Sequence, residues 1–209
     1  VKTYPFLSST AIAIVGERGS GKTALACHLL DQVPNRPIYV YQHQDPDLIA
    51  SRGWTQMYRL EQMYDIDNAV VWMDEPQISI PKLDKRANEG LQRLLSIARH
   101  RDITLIMSTC DTRWITRALE AFIDCWLIKD VEPRLVKQGA LMKKIIQRHV
   151  IVDPDEFRLP PHQYLFYGRH FDSLDGLHEF RLPEYFDERW SKPYRAKTAP
   201  ESATLWEAS

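Results

Sequence analysis

Short apolar runs alternate with helical periods along the first 130 residues of the chain. The runs AIAIV (11–15), PIYVY (37–41), AVVWM (69–73), ITLIM (103–107) and FIDCWLI (122–128) have the length and character of strands buried on both faces. Between the last strands lies the clearest helix pattern, DKRANEGLQRLLSIARH (84–100). Its apolar positions Ala87, Leu91, Leu94, Leu95 and Ala98 recur at i, i+4, i+7, i+8 and i+11, one face of a 3.6-residue period. A further helix is predicted over ALACHLL (24–30), with Pro34 as its stop. Strand–helix alternation of this kind predicts a parallel sheet covered by helices on both sides.

The pattern changes after residue 150. Prolines at 154, 160, 161 and 183 interrupt the chain, and QYLFYG (163–168) and LHEFRL (177–182) read as two strands of a hairpin or edge addition. The predicted organisation is a core over 1–150, a C-terminal extension over 151–190 and a tail over 191–209, with Trp206 as a candidate anchor in the tail.

Composition narrows the class. At 209 residues, with 44% hydrophobic and 26% charged residues, the chain is an ordinary globular domain long enough to bury a core. No apolar run reaches the ~18–20 residues of a membrane span, and VKTYPFLSST has no signal-peptide apolar stretch. The three cysteines (Cys27, Cys110, Cys125) have no metal-ligand spacing and read as free thiols in a reducing compartment. The histidines are scattered. A net charge of −1 excludes a basic nucleic-acid coat, but leaves room for a local basic stripe.

The chemistry begins at GERGSGKT (16–23), which fits G-x-x-x-x-G-K-S/T and sits between a predicted strand and a predicted helix. Gly16, Gly19 and Gly21 let the backbone of Glu17, Arg18, Ser20 and their neighbours point N–H groups at phosphate oxygens. Lys22 supplies a charge for the β- and γ-phosphates and Thr23 a hydroxyl for Mg²⁺, so the cofactors predicted are ATP and Mg²⁺. AVVWMDEP then ends a buried strand on Asp74 and Glu75. Asp74 is placed for the magnesium shell and Glu75 for polarising a water. That adjacent acid pair favours an ATPase over a small-molecule kinase, which transfers to a hydroxyl. It also departs from the D-x-x-G of GTPase switches. At the end of ITLIMSTCD, Ser108, Thr109 and, less well placed, Asp111 are candidates for contacting the γ-phosphate.

Together, GERGSGKT, VVWMDEPQ and IARHRDITLIMSTCDTRWITRALEAFIDCWLIKD resemble the FtsK–HerA superfamily of DNA-pumping ATPases. Within it they resemble the genome-packaging ATPases of membrane-containing icosahedral viruses. The resemblance spans about residues 10 to 130 and departs at Cys110, where members carry glutamine. It implies a P-loop NTPase of the RecA/FtsK-like α/β type: a central, mostly parallel β-sheet flanked by helices, plus a small C-terminal extension. It also implies an ATP-hydrolysing motor that moves double-stranded DNA into a preformed capsid as a homo-oligomeric ring, hexamer or pentamer. Its setting would be the host cytoplasm during assembly, or a virion vertex at which it is retained, and its docking partner a capsid vertex or a membrane-associated viral protein. A nearby alternative is the zonula-occludens-toxin-like assembly ATPases of filamentous phages. Those share Asp74-Glu75-Pro76-Gln77, Pro81 and the Arg99-His100 pair, but continue into a transmembrane helix.

Ring motors of this kind complete each site with an arginine from a neighbouring subunit, worth roughly 10³–10⁵ in rate. Arg99 fits the family position best, followed by Arg101, and then Arg113 and Arg117 beyond the last core strand but one. A DNA-facing stripe is predicted in EPRLVKQGALMKKIIQRH (132–149). At ~100° per residue, Arg134, Lys137, Lys144 and Arg148 fall within about 80° of one another on a helical wheel. Such a stripe tracks phosphates with little sequence preference.

Overall fold

The structure is a computed structural model that describes residues 4–8, 11–33, 35–80, 85–130 and 158–191. The predicted basic stripe over 132–149 and the segment around Trp206 lie outside these residues, as do Pro34 and Pro81.

Among the described residues, eight strands form one sheet. In chain order they are β1 (Ala11–Val15), β2 (Ile38–Tyr41), β3 (Thr55–Met57), β4 (Val70–Asp74), β5 (Thr104–Thr109), β6 (Cys125–Ile128), β7 (Gln163–Gly168) and β8 (Gly176–Glu179). Their order across the sheet is β3-β2-β4-β5-β1-β6-β7-β8. The strands from β3 to β6 run parallel, whereas β7 pairs antiparallel with both β6 and β8. The sheet is therefore mixed, mostly parallel, and closed on one side by the hairpin that the 163–182 pattern predicts.

Period-2 alternation explains why both faces are covered. Ala11, Ala13 and Val15 of β1, Val71 and Met73 of β4, and Leu105 and Met107 of β5 face one side. There they meet Leu91, Leu94, Leu95 and Ala98 of helix α3 (Lys85–Ala98), the stripe read from the sequence. Ile12, Ile14, Val70, Trp72 and Ile106 face the other side, against Leu25 and Leu29 of helix α1 (Lys22–Leu30). The last of the described residues, up to 191, return over that second face. Trp190 is 1% exposed among these side chains, and Arg189 pairs with Asp45 at 2.8 Å. Tyr185 bonds Asp31 at 3.1 Å, and the Arg52 guanidinium lies 3.6 Å from the centre of its ring.

Helix α2 (Pro46–Ser51) and strand β3 have no counterpart in the periodicity. α2 is a short helix capped by the Asp45 side chain, which accepts from Leu48 N–H at 3.0 Å. β3 has three residues, fewer than an alternation needs to register. No helix among the described residues is long and apolar enough to cross a membrane.

Parallel strands give the sheet a directional edge. The C-terminal ends of β1, β4 and β5 lie side by side, with Val15 opposite Thr109 and Asp74 opposite Ser108. That edge carries the site.

Candidate nucleotide site

β1 delivers the chain into the loop 16–21, and α1 carries it away. Gly16 N–H donates to Thr109 O at 3.3 Å, and Glu17 N–H donates to Asp130 O at 2.7 Å, tying the loop to the ends of β5 and β6. A Cβ on Gly16 would stand 2.7 Å from Lys129 Cβ and from Ser20 Oγ, so only glycine fits. Gly21 caps α1 with φ of 91°, in the left-handed region. The first N–H groups of α1 have no intrahelical acceptor and carry the positive end of its dipole. Ser20 Oγ is buried without a hydrogen-bond partner beside them. Arg18 lies on the exposed tip of the loop.

Lys22 is 5% exposed. Its Nζ donates to Glu17 O at 2.9 Å and lies 3.3 Å from Glu75 Oε1. One helical step on, Thr23 Oγ1 donates to Asp74 Oδ2 at 3.4 Å. Asp74 Oδ1 is buried and has no hydrogen-bond partner. Burial, and then the charge of Glu75, push the Asp74 carboxyl up to about 7, against the pull of Lys22 and Thr23. A buried, under-neutralised carboxylate beside a threonine hydroxyl is a hard-oxygen pair of the kind that holds Mg²⁺ together with phosphate oxygens. Asp74 and Thr23 fit that ion.

Glu75 breaks from β4 with φ of 48°, a left-handed conformation rare for a residue with a side chain. The strain is held by its N–H, which donates to Ser108 O at 2.8 Å. The turn aims the carboxylate at Lys22 and returns the chain so that Gln77 faces the end of β5. Gln77 Nε2 donates to Glu75 Oε2, and Gln77 Oε1 accepts the Thr109 hydroxyl at 2.8 Å. Cys110 N–H also donates to Glu75 Oε2, at 3.1 Å. The structure thus brings Lys22, Thr23, Asp74, Glu75 and Thr109 together on one edge.

The other candidates separate. Ser108 accepts from the Trp72 indole at 3.0 Å and is committed to the core. Asp111 caps the following turn and holds Arg113 at 2.9 Å, on the nucleotide edge. Arg99 and Arg101 lie in the turn between α3 and β5, at the start of the strands rather than their end. Arg99 meets Asp124 at 3.5 Å, and Arg101 meets Asp67 at 3.5 Å. β5 is six residues long, so roughly 20 Å of extended chain separates them from Thr109. Neither arginine can reach the site of its own chain.

Two site residues carry no role in the sequence reading. Gln77 stands out in the sequence only as the last residue of the Asp74-Glu75-Pro76-Gln77 run. Lys129 is wholly buried under the loop. Its Nζ donates to Pro161 O at 2.6 Å and to Gln163 O, and lies 4.8 Å from the centre of the Phe180 ring. A lysine ending the apolar run of β6 is the one signal that could have flagged it.

No protein-family model matches the chain, and no curated protein matches its sequence. Solved structures do. The DNA-packaging ATPase B204 of Sulfolobus turreted icosahedral virus is 12% identical, with a TM-score of 0.60 over 84% of this chain and 99% of that one. The genome-packaging NTPase B204 of Sulfolobus turreted icosahedral virus 2, in complex with AMPPCP, is 14% identical, with a TM-score of 0.59 over 84% and 98%. The cytoplasmic domain of the type VII secretion ATPase EccC from Thermomonospora curvata is 11% identical, with a TM-score of 0.60 over 87% of this chain and 24% of that one. What the likeness shows is the fold: the chain has the mostly parallel P-loop ATPase fold of these neighbours.

Proposed function

We propose that the chain hydrolyses ATP and uses the energy to move double-stranded DNA as a homo-oligomeric ring, packaging a viral genome. The observation that carries the hydrolytic half is the position of Glu75, 3.3 Å from Lys22 Nζ and next to Asp74 on the same strand end. In this reading the loop 16–23 binds the phosphates, with Lys22 turning from Glu75 to the β- and γ-phosphates. Thr23 and Asp74 would hold Mg²⁺, which would neutralise phosphate charge, and Glu75 takes the proton of the attacking water. Arg99, with Arg101 beside it, acts on the neighbouring subunit's site. Its place at the far edge of the sheet suits a residue that serves another chain.

The DNA half is supported by the likeness to the B204 packaging ATPases over nearly their whole length. Arg134, Lys137, Lys144 and Arg148 are the proposed phosphate contacts. The test is ATPase activity with and without duplex DNA. Severalfold stimulation that falls steeply between ~50 and 200 mM salt supports the reading. Steady hydrolysis indifferent to DNA at low salt removes the DNA half.

The cytoplasmic domain of the type VII secretion ATPase EccC and the EssC ATPases 2 and 3 of Geobacillus thermodenitrificans match as well as B204 does, with TM-scores of 0.60 and 0.58. This favours a second reading in which the cargo is a polypeptide or a coated strand. The same DNA titration separates the two.

A further inference from the structure

Glu75 needs a holder. Its Oε1 faces Lys22, and in the hydrolytic reading that partner leaves when Lys22 turns to phosphate. What remains is Oε2, which accepts from the Gln77 amide and from Cys110 N–H at 3.1 Å. The Gln77 amide is polarised one way by its partners. A carboxylate only accepts, so Nε2 must face Glu75, and Oε1 is then left to accept the Thr109 hydroxyl at 2.8 Å. One side chain therefore ties the end of β4 to the end of β5. The side chain of Cys110 points into the same space, with Sγ 3.7 Å from Gln77 Nε2. A thiol there is too weak a donor to orient the carboxylate itself.

We propose that Gln77 is a positioning residue for hydrolysis. It holds Glu75 through Oε2, so that Oε1 stays aimed at the attacking water, and it links that carboxylate to Thr109 beside the γ-phosphate. It does from the turn after β4 what Cys110, at the end of β5, cannot do with a thiol. The proposal rests on the reading of Glu75 as the general base.

The placement predicts a specific pattern. Gln77→Leu keeps the volume and removes both hydrogen bonds, so kcat falls about 10- to 100-fold while the affinity for a non-hydrolysable ATP analogue stays within about twofold. The double variant Gln77→Leu/Cys110→Gln puts an amide back into the same space from the other strand, and recovers to within about threefold of the wild-type rate. The measurements are steady-state ATPase and analogue binding on the full chain for wild type, Gln77→Leu, Gln77→Glu and the double variant. Gln77→Glu sets a like charge against Glu75 and lowers kcat at least as far as Gln77→Leu. A wild-type kcat in Gln77→Leu overturns the proposal and leaves the hydrolytic reading standing. Loss of analogue affinity in step with kcat, or no recovery in the double variant, assigns Gln77 a merely structural role and also overturns it. A wild-type chain that does not hydrolyse ATP takes both down.

Discussion

Lys22 Nζ and Glu75 Oε1 lie 3.3 Å apart, so the proposed phosphate-binding cation and the proposed base are partners in the structure. The pair holds each group in the site, and it also means that ATP must compete with Glu75 for Lys22. Glu75→Gln removes the charge that competes. The variant should bind ATP as tightly as wild type or a few times more tightly, and lose at least about 100-fold in hydrolysis, the scale of a general base. Binding of a fluorescent ATP analogue alongside steady-state turnover checks both halves. Unchanged turnover removes Glu75 from the chemistry.

Arg99 sits at the start of β5, bonded to Asp124, while the nucleotide edge is at the end of the same strand. If it acts in a neighbour's site, its loss and the loss of Glu75 are faults in different halves of one interface. Arg99→Ala alone should bind nucleotide normally and turn over about 10³-fold more slowly or worse. Mixing Arg99→Ala subunits with Glu75→Gln subunits should restore part of the activity, because some interfaces then pair an intact base with an intact arginine. Mixtures no more active than either parent assign Arg99 to its ion pair with Asp124 alone.

The parts of the site that the sequence makes legible are local. The loop, the strand that ends in Asp74 and Glu75, and the α3 stripe each depend on neighbours a few residues away, where spacing and period carry the information. The 163–182 hairpin follows from the same alternation. The parts hidden from the sequence depend on contacts across many positions. Gln77 acquires its role by reaching Thr109, and only the left-handed turn at Glu75 brings it there. Ser108 and Thr109 look alike at a strand end, yet alternation sends Ser108 to Trp72 and Thr109 to Gln77. Lys129 looks like the polar end of β6 until its amine is found on the carbonyls of Pro161, before β7, and of Gln163, the first residue of β7.

Asp74 carries a pH signature. Its folded-state carboxyl is pushed up to about 7 by burial and by Glu75, above the ordinary value of 3.8. Between those two values the folded chain holds a proton that the unfolded chain has released, so this group makes stability fall as pH rises from about 4 to 7. Above pH 7 the ionised carboxylate is buried with Oδ1 unpartnered, at a cost on the order of a few kcal/mol. Asp74→Asn removes the charge. Without metal and nucleotide, its melting temperature should exceed that of wild type at pH 8, and the difference should shrink toward pH 5. The same variant should lose Mg²⁺-dependent hydrolysis. Equal melting curves at both pH values contradict the burial argument.

Lys129 predicts the opposite slope. Burial lowers its amine to about 8 from 10.5, with Asp130 partly offsetting the effect. Between those values the unfolded chain holds a proton that the folded chain has lost, so stability contributed by this group rises with pH from about 8 to 10. Deprotonation costs no hydrogen bond, because a neutral amine keeps two N–H groups for the two carbonyls of Pro161 and Gln163. Lys129→Met preserves the packing beneath Gly16 but leaves both carbonyls without a donor, at about 1–3 kcal/mol. The variant also lacks the titrating group. Urea unfolding of both proteins should therefore show a deficit for Lys129→Met that widens from pH 7.5 to 9.5, by about 1–3 kcal/mol. A deficit that stays constant with pH would mean that the amine keeps its proton under the loop, and that it supports the phosphate site as a fixed charge.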